Sequence, residues 1–394
     1  MTTLTAWIAA ANLFQLGLGV GRSILLGRWL GVERLGELGV ALACLTIADA
    51  LAQAGLGQLV TREVAARPGH DGRTLGTSLV IRLALAGAVG IALWTVAGPW
   101  VAVLLLATVG QTGVAVLRAK LLRGPQIAAN LMPGALGILA ILACVHMAKP
   151  SASLALAALA LTGVAAATGQ LRLAVSRLGS RLAWSAREAG TLLKESWPLW
   201  IGGLAVAGSY RLDVLLMKAL LPSGVAERAI GFYKPAYDLV ESGNFLLGAI
   251  VITAFPVFSS LRRAPASKLR TASRRALGAG FAAGIAACVF TLLAGGPILR
   301  LLYGAAFAPS AAALFLLSPV LVLVPLNSLL GSLLTAVGRQ VTYLKINLAQ
   351  LCFNAVVNLW VIPRYGFTGA AAVTALTESV ALVLLLWSAR SHIK

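Results

Sequence analysis

Apolar runs of about 18 residues or more recur along the whole chain, and that is the length a bilayer core demands of a helix. Charged residues fill only 11% of the 394 positions and hydrophobic residues fill 59%, whereas a soluble domain carries roughly 25% charged residues. Too little polar surface remains to cover a water-soluble body of this size. The runs predict an all-α polytopic membrane protein with twelve transmembrane helices. Their expected positions are roughly 6–29, 36–60, 75–98, 100–121, 127–148, 151–176, 194–220, 229–257, 274–295, 309–335, 341–362 and 367–389. Gly98-Pro99, Gly124-Pro125, Pro150, Pro222, Pro309 and Pro363 mark many of the edges.

A net charge of +20 raises the question of nucleic acid. The bases are scattered in short groups between apolar runs, with no domain-sized basic surface, so no nucleic-acid partner is expected. Twenty-one Lys and Arg follow even-numbered helices, as in the group Arg172, Arg177, Arg181, Arg187 and Lys194, and seven follow odd-numbered ones. That bias puts the even links and both termini in the cytoplasm. The first run lacks a basic flank and a small-residue cleavage site, so it is expected to stay as a helix. Cys44, Cys144, Cys288 and Cys352 each occupy a different apolar run, and His70, His146 and His392 show no ligand spacing. No metal, cofactor or disulfide framework is therefore expected. No phosphate loop or soluble catalytic domain is present, and no catalytic residue is assigned.

The link 177–193 divides the helices into an N-terminal six-helix bundle over 1–176 and a C-terminal six-helix bundle over 194–394. The first outer loop of each half reads GVERLGELGVAL from Gly31 and GVAERAIGFYKPA from Gly224. Both place Glu-Arg shortly after Gly-Val, with a glycine two or three residues later, at a separation of about 193–195 residues. With the six-plus-six count, this predicts two parallel repeats around a central cavity that opens alternately to each side.

Several ordered motifs carry a resemblance. GRWLGVERLGELG (27–39) is followed by GLGQLVTREVA (55–65), Asp213 in the seventh helix, and GFYKPAYDL (231–239) opening the eighth. Tyr303-Gly304, Gly338-Arg339, NAVVNLWVIP (354–363) and GFTGAAA (366–372) complete the order. The chain resembles the polysaccharide (O-antigen type) flippases of the multidrug/oligosaccharidyl-lipid/polysaccharide exporter superfamily, over nearly its whole length. An acidic position usual in that family just before the Gly-Leu element is Gln53 here, with Asp49 one turn earlier. The resemblance implies a non-enzymatic flippase of the bacterial inner membrane. It would turn a polyprenyl-pyrophosphate-linked oligosaccharide repeat unit from the cytoplasmic to the outer leaflet, with membrane lipids and polysaccharide polymerase machinery as further partners. A cation-coupled multidrug exporter and a membrane-embedded glycosyl transferase or ligase are the alternatives. Mixed intramembrane charges weigh against the first, and very short outer loops against the second. A lipid II flippase usually carries two further helices.

Ionisable side chains in a bilayer are costly and usually face a bundle interior or a water-filled cavity. Their spacing here forms stripes along single helix faces. Asn12, Gln15 and Arg22 lie on the first helix, Thr46, Asp49 and Gln53 on the second, and Lys234, Asp238 and Glu241 on the eighth. Asn347, Gln350, Asn354 and Asn358 follow on the eleventh, Thr374 and Glu378 on the twelfth, and Asn327 on the tenth. Arg211 and Asp213 of the seventh helix point about 200° apart, so Arg211 is expected to face the cavity and Asp213 a neighbouring helix, with Lys234 as its partner. Arginine keeps its charge and presents a fork suited to phosphate. The lumen candidates for substrate are Arg22, Arg211, Lys234, Asn347, Asn354 and Asn358. The coupling or ion-pair candidates are Asp49, Asp213, Asp238, Glu241 and Glu378, with Glu378 as a proton site.

Overall fold

Hydrocarbon offers the backbone no water, so a spanning chain must close its own hydrogen bonds. The computed structural model describes residues 2–67, 69–263 and 265–393, with side chains described except at 2–9, 12, 263, 266 and 391–393. The described residues are helical and contain no strand. In order, the helices are α1 (Thr2–Gln53), α2 (Leu56–Ala66), α3 (Asp71–Ala97), α4 (Pro99–Ala107), α5 (Gln111–Ala119), α6 (Arg123–Met147) and α7 (Ala152–Val175). They continue as α8 (Ala186–Leu220), α9 (Val225–Ser260), α10 (Ala266–Tyr303), α11 (Ser310–Leu317), α12 (Val320–Ala336) and α13 (Gln340–Ile393). Among the described residues, 10 helical stretches are long and apolar enough to cross a bilayer. The chain is a multi-pass membrane protein. Of the residues singled out above, Asn12 and His392 lie outside the described side chains.

Two of the ten stretches are each broken by one residue. Gly31 in α1 has φ 73° and ψ −178°, and Gly366 in α13 has φ 55° and ψ −134°. A Cβ is strained at such φ values, and glycine is not. At Gly366 the chain folds back on itself: Gln350 and Asn354 before it hydrogen-bond Glu378 and Thr377 after it.

Other helices outrun their apolar windows. α8 starts at Ala186, where a span from 194 is expected, and α10 covers 266–303, where 274–295 is expected. Hydropathy reports the hydrocarbon thickness, while helices continue into the headgroup layer. Three expected spans are interrupted instead. The second breaks at Ala54 and Gly55, both with positive φ, the fourth has a 3-10 turn at Thr108–Gly110, and the tenth breaks at Ser318-Pro319.

The chain groups into two compact units, Met1–Leu30 with Glu37–Arg211, and Gly31–Gly36 with Leu212–Lys394. The first has a core of Val60, Val64, Leu75, Val114, Leu117 and Ala174. Its segment after α7 is clasped to the start of α3. Asp71, 2% exposed, accepts from Gly179 N and Ser180 Oγ, both at 2.8 Å, and pairs with Lys120. Thr77 Oγ1 accepts from Ser185 N at 3.2 Å, and Thr74 Oγ1 donates to Glu188 at 2.7 Å. A carboxylate at a helix N-terminus also faces the positive end of the helix dipole.

The second unit has a core of Phe258, Leu269, Leu330, Leu333, Leu334 and Leu385. Within it the two matching loops pack backbone to backbone. A Cβ added at Gly36 would lie 1.8 Å from Glu227 O, and one at Gly231 would lie 2.0 Å from Val32 O. The two contacts exchange under a shift of 195 residues, Gly36 to Gly231 and Val32 to Glu227. The repeat visible in the sequence is thus also a repeated contact in space. Small residues give helices in lipid this close approach, which replaces the hydrophobic drive they lack there.

Candidate functional site

Polar groups inside apolar helices need partners, because an unpaired one costs more than the bond it would make. In the first unit the partners converge on Asp49 of α1. Its Oδ2 accepts from Gln53 Nε2 at 2.6 Å, and its Oδ1 lies 3.4 Å from Arg82 Nη2 of α3. Arg82, 1% exposed, also donates to Thr112 Oγ1 of α5 at 3.1 Å. One buried cation therefore ties three helices together. Arg22 of α1 is half-buried beside Gly137 of α6, its Nη1 3.5 Å from where a Cβ at Gly137 would be.

Arg211 is the last residue of the first unit and is half-buried. In the second unit Asp213 is buried, accepts from Val214 N at 2.8 Å, and accepts from Tyr233 Oη of α9. Tyr233 Oη in turn lies 3.5 Å from Thr374 Oγ1. Asp213 thus faces a neighbouring helix, but its partner there is Tyr233 and not Lys234. One residue along a helix is a turn of about 100°, so Lys234 points elsewhere. Its Nζ binds Asp238 at 2.8 and 3.0 Å along α9 itself. Glu241, a turn further on, is exposed.

The fold-back at Gly366 builds a second cluster. Glu378 Oε2 accepts from Asn327 Nδ2 of α12 at 2.7 Å, and Oε1 accepts from Gln350 Nε2 at 2.8 Å. Asn327 Nδ2 also reaches the Glu378 carbonyl at 3.0 Å, while its own Oδ1 is buried without a partner. Among the described residues no Lys or Arg pairs with Glu378. Deeper in the hairpin, Asn354 Nδ2 donates to Thr377 Oγ1 at 3.3 Å and Asn358 Nδ2 to Asn354 Oδ1 at 3.0 Å. Asn354 and Asn358 are buried, at 6% and 0% exposed: Asn354 bonds the other arm of α13, Asn358 bonds Asn354 along its own arm, and neither presents an open face to a lumen. Asn347 is half-buried, one turn before Gln350.

The profile of the family described as "Polysaccharide biosynthesis protein" matches residues 3–262. The chain belongs to the polysaccharide biosynthesis protein family. No curated protein sequence matches it. Solved structures share its fold with little sequence identity. One is the lipid II flippase MurJ in an inward closed conformation, with a TM-score of 0.79 and 13% identity over 98% of this chain and 87% of that one. Another is a multidrug resistance MATE family transporter of the MOP superfamily, inward-facing, with a TM-score of 0.76 and 17% identity over 96% of this chain and 94% of that one. A third is a MOP superfamily transporter from Pyrococcus furiosus, described as having a binding pocket of reverse polarity, with a TM-score of 0.67 and 14% identity over 98% and 94%. This family member thus has a MATE- and MurJ-like fold.

Hydrogen bonds join sequence-derived candidates as Asp49 with Gln53, Lys234 with Asp238, Glu378 with Asn327 and Gln350, and Asn354 with Asn358. Arg82, Thr112, Tyr233 and Thr377 are partners missing from those candidates. Arg82 is an arginine midway along an apolar run, which is itself the signal for a functional or structural charge. Tyr233 lies within the GFYKPAYDL motif, where its hydroxyl is the polar tip of an otherwise apolar side chain.

Proposed function

We propose that this chain is a flippase that carries a polyprenyl-pyrophosphate-linked oligosaccharide repeat unit from the cytoplasmic to the outer leaflet of a bacterial inner membrane by alternating access. The family match over residues 3–262 carries the reading, and the fold held in common with a lipid II flippase supports it. The breaks at Gly31 and Gly366, each within one long stretch, support a reading of twelve spans in two sixes, 1–176 and 194–394, joined by 177–193. The basic links place both termini in the cytoplasm. Arg22 and Arg211 are the residues assigned to the substrate's phosphates, because a guanidinium holds a phosphate oxygen pair in a forked geometry. Lys234 is the third cation, delivered by the Asp238 pair. Glu378 is the coupling residue: among the described residues no Lys or Arg pairs with its carboxylate, so its charge is left for a proton or small cation to neutralise during transport. Asp49, Asp213 and Glu241 serve as ion-pair and hydrogen-bond anchors. Polysaccharide polymerase machinery would receive the product.

Deleting the gene tests this in the cell. Lipid-linked repeat units are expected to accumulate on the cytoplasmic side, with loss of surface polysaccharide, as measured by radiolabelled lipid extraction and glycan staining. Unchanged glycan display together with raised sensitivity to cationic drugs would overturn the proposal in favour of a drug exporter.

A further inference from the structure

α6 carries a polar stripe on the face it turns toward α1. Arg123, Gln126 and Asn130 stand at offsets 0, 3 and 7, which is one helix face. The same face continues as Gly134 and Gly137. There a Cβ would lie 3.1 Å from Leu18 and 3.5 Å from Arg22, both on α1. The glycines let the two helices close together along this seam. Toward the α6 N-terminus the stripe residues are large and polar, and a cleft opens. It is lined by Gln15 of α1 with Arg123, Gln126 and Asn130, and by Ala11, Ile127 and Leu131. Arg123 Nη1 donates to Gln126 Oε1 at 3.3 Å, which steadies a guanidinium that has further N–H groups to offer. Among the described residues no acidic side chain lines the cleft. Its volume of about 30 Å³ exceeds the roughly 10–15 Å³ that one water needs, so it has room for a small polar group.

We propose that this cleft at the cytoplasmic ends of α1 and α6 is a subsite for one phosphate group of a lipid headgroup. The assignment rests on the flippase reading and on the orientation that puts residues 120–123 in the cytoplasm. One arginine and three carboxamides, with no opposing carboxylate, form a donor set for an anionic oxygen. The apolar residues beside them suit the chain to which the phosphate is attached. Arg22 of α1 lies further along the same face of α6, beside Gly137.

The test is binding of a fluorescent farnesyl diphosphate to the full-length protein in phosphatidylcholine nanodiscs. Wild type is expected to bind it, and Arg123→Gln to weaken binding about tenfold. Asn130→Leu, which fills the cleft with apolar bulk, is expected to weaken it similarly. Arg118→Gln, an exposed arginine on α5 outside the cleft, is expected to bind as wild type does. Competition separates the two sources of a phosphate. Displacement by unlabelled farnesyl diphosphate but not by phosphatidylglycerol assigns the subsite to the transported lipid. Equal displacement by phosphatidylglycerol assigns it to bulk phospholipid headgroups. If Arg123→Gln and Asn130→Leu both bind as wild type does, the subsite is wrong while the flippase reading stands. If wild type binds no prenyl diphosphate at all, both fall.

Discussion

Gly36→Ala is expected to lower the melting temperature of the purified protein by several degrees, and Gly231→Ala to do the same. A β-carbon at either position would meet a backbone carbonyl oxygen at 1.8 or 2.0 Å, far inside van der Waals contact. Neither partner is a flexible side-chain tip; both are backbone atoms of a facing segment. Relief requires the segments to separate by more than 1 Å, and overpacking of this kind costs typically about 1–3 kcal/mol and occasionally more. Gly17→Ala is the control, since nothing lies within 4 Å of its β-position. There the better helix propensity of alanine should leave stability unchanged or slightly raised. Thermal unfolding in detergent distinguishes the three variants. Equal melting of Gly36→Ala and Gly17→Ala would show that the repeated contact is not close-packed.

Glu378→Gln is expected to melt like wild type and to lose at least tenfold in export rate. The glutamine keeps the side chain's shape. Its new N–H₂ can bond Gln350 once that amide turns over, a flip that costs little. What disappears is the negative charge, and with it any exchange of a proton or cation at this place. Glu378→Ala is expected to lose both export and stability, because the amides of Asn327 and Gln350 then stay buried without acceptors. Export can be followed as surface polysaccharide restored to a deletion strain. Full export by Glu378→Gln would reduce Glu378 to a hydrogen-bond anchor of the α13 hairpin.

These two sites also show what the amino-acid sequence makes legible. Apolar runs mark the membrane stretches, because hydropathy and hydrocarbon thickness measure the same quantity. Polar residues at a helical spacing of four find each other along their own helices, as Asp49 and Gln53 do, and Lys234 and Asp238. The loop match marks the two segments that meet at Gly36 and Gly231, but the contact itself is visible only in the structure. Partners on other helices are harder to read. Angle alone turns Asp213 toward a neighbour, but choosing Tyr233 over the adjacent Lys234 needs the rotation of α9, which tertiary packing sets. The same holds for Asn354 and Asn358, whose stripe reads equally well as a lumen lining or as a seam between two arms. The clasp of Asp71 on residues 179–180 joins segments more than 100 residues apart, beyond any local pattern. Helix ends past the hydrocarbon, as in α8 and α10, carry no hydropathy signal at all.

The most direct test of the central claim is a flipping assay in proteoliposomes. Purified protein is reconstituted with a polyprenyl-pyrophosphate-linked oligosaccharide, and the sugar's accessibility to an external periodate or lectin probe is followed in time. Exchange between leaflets that depends on the protein, saturates with lipid-linked sugar and slows with Arg22→Gln is the predicted result. Exchange no faster than in protein-free vesicles, with a coupling gradient of protons or sodium imposed, would contradict the account.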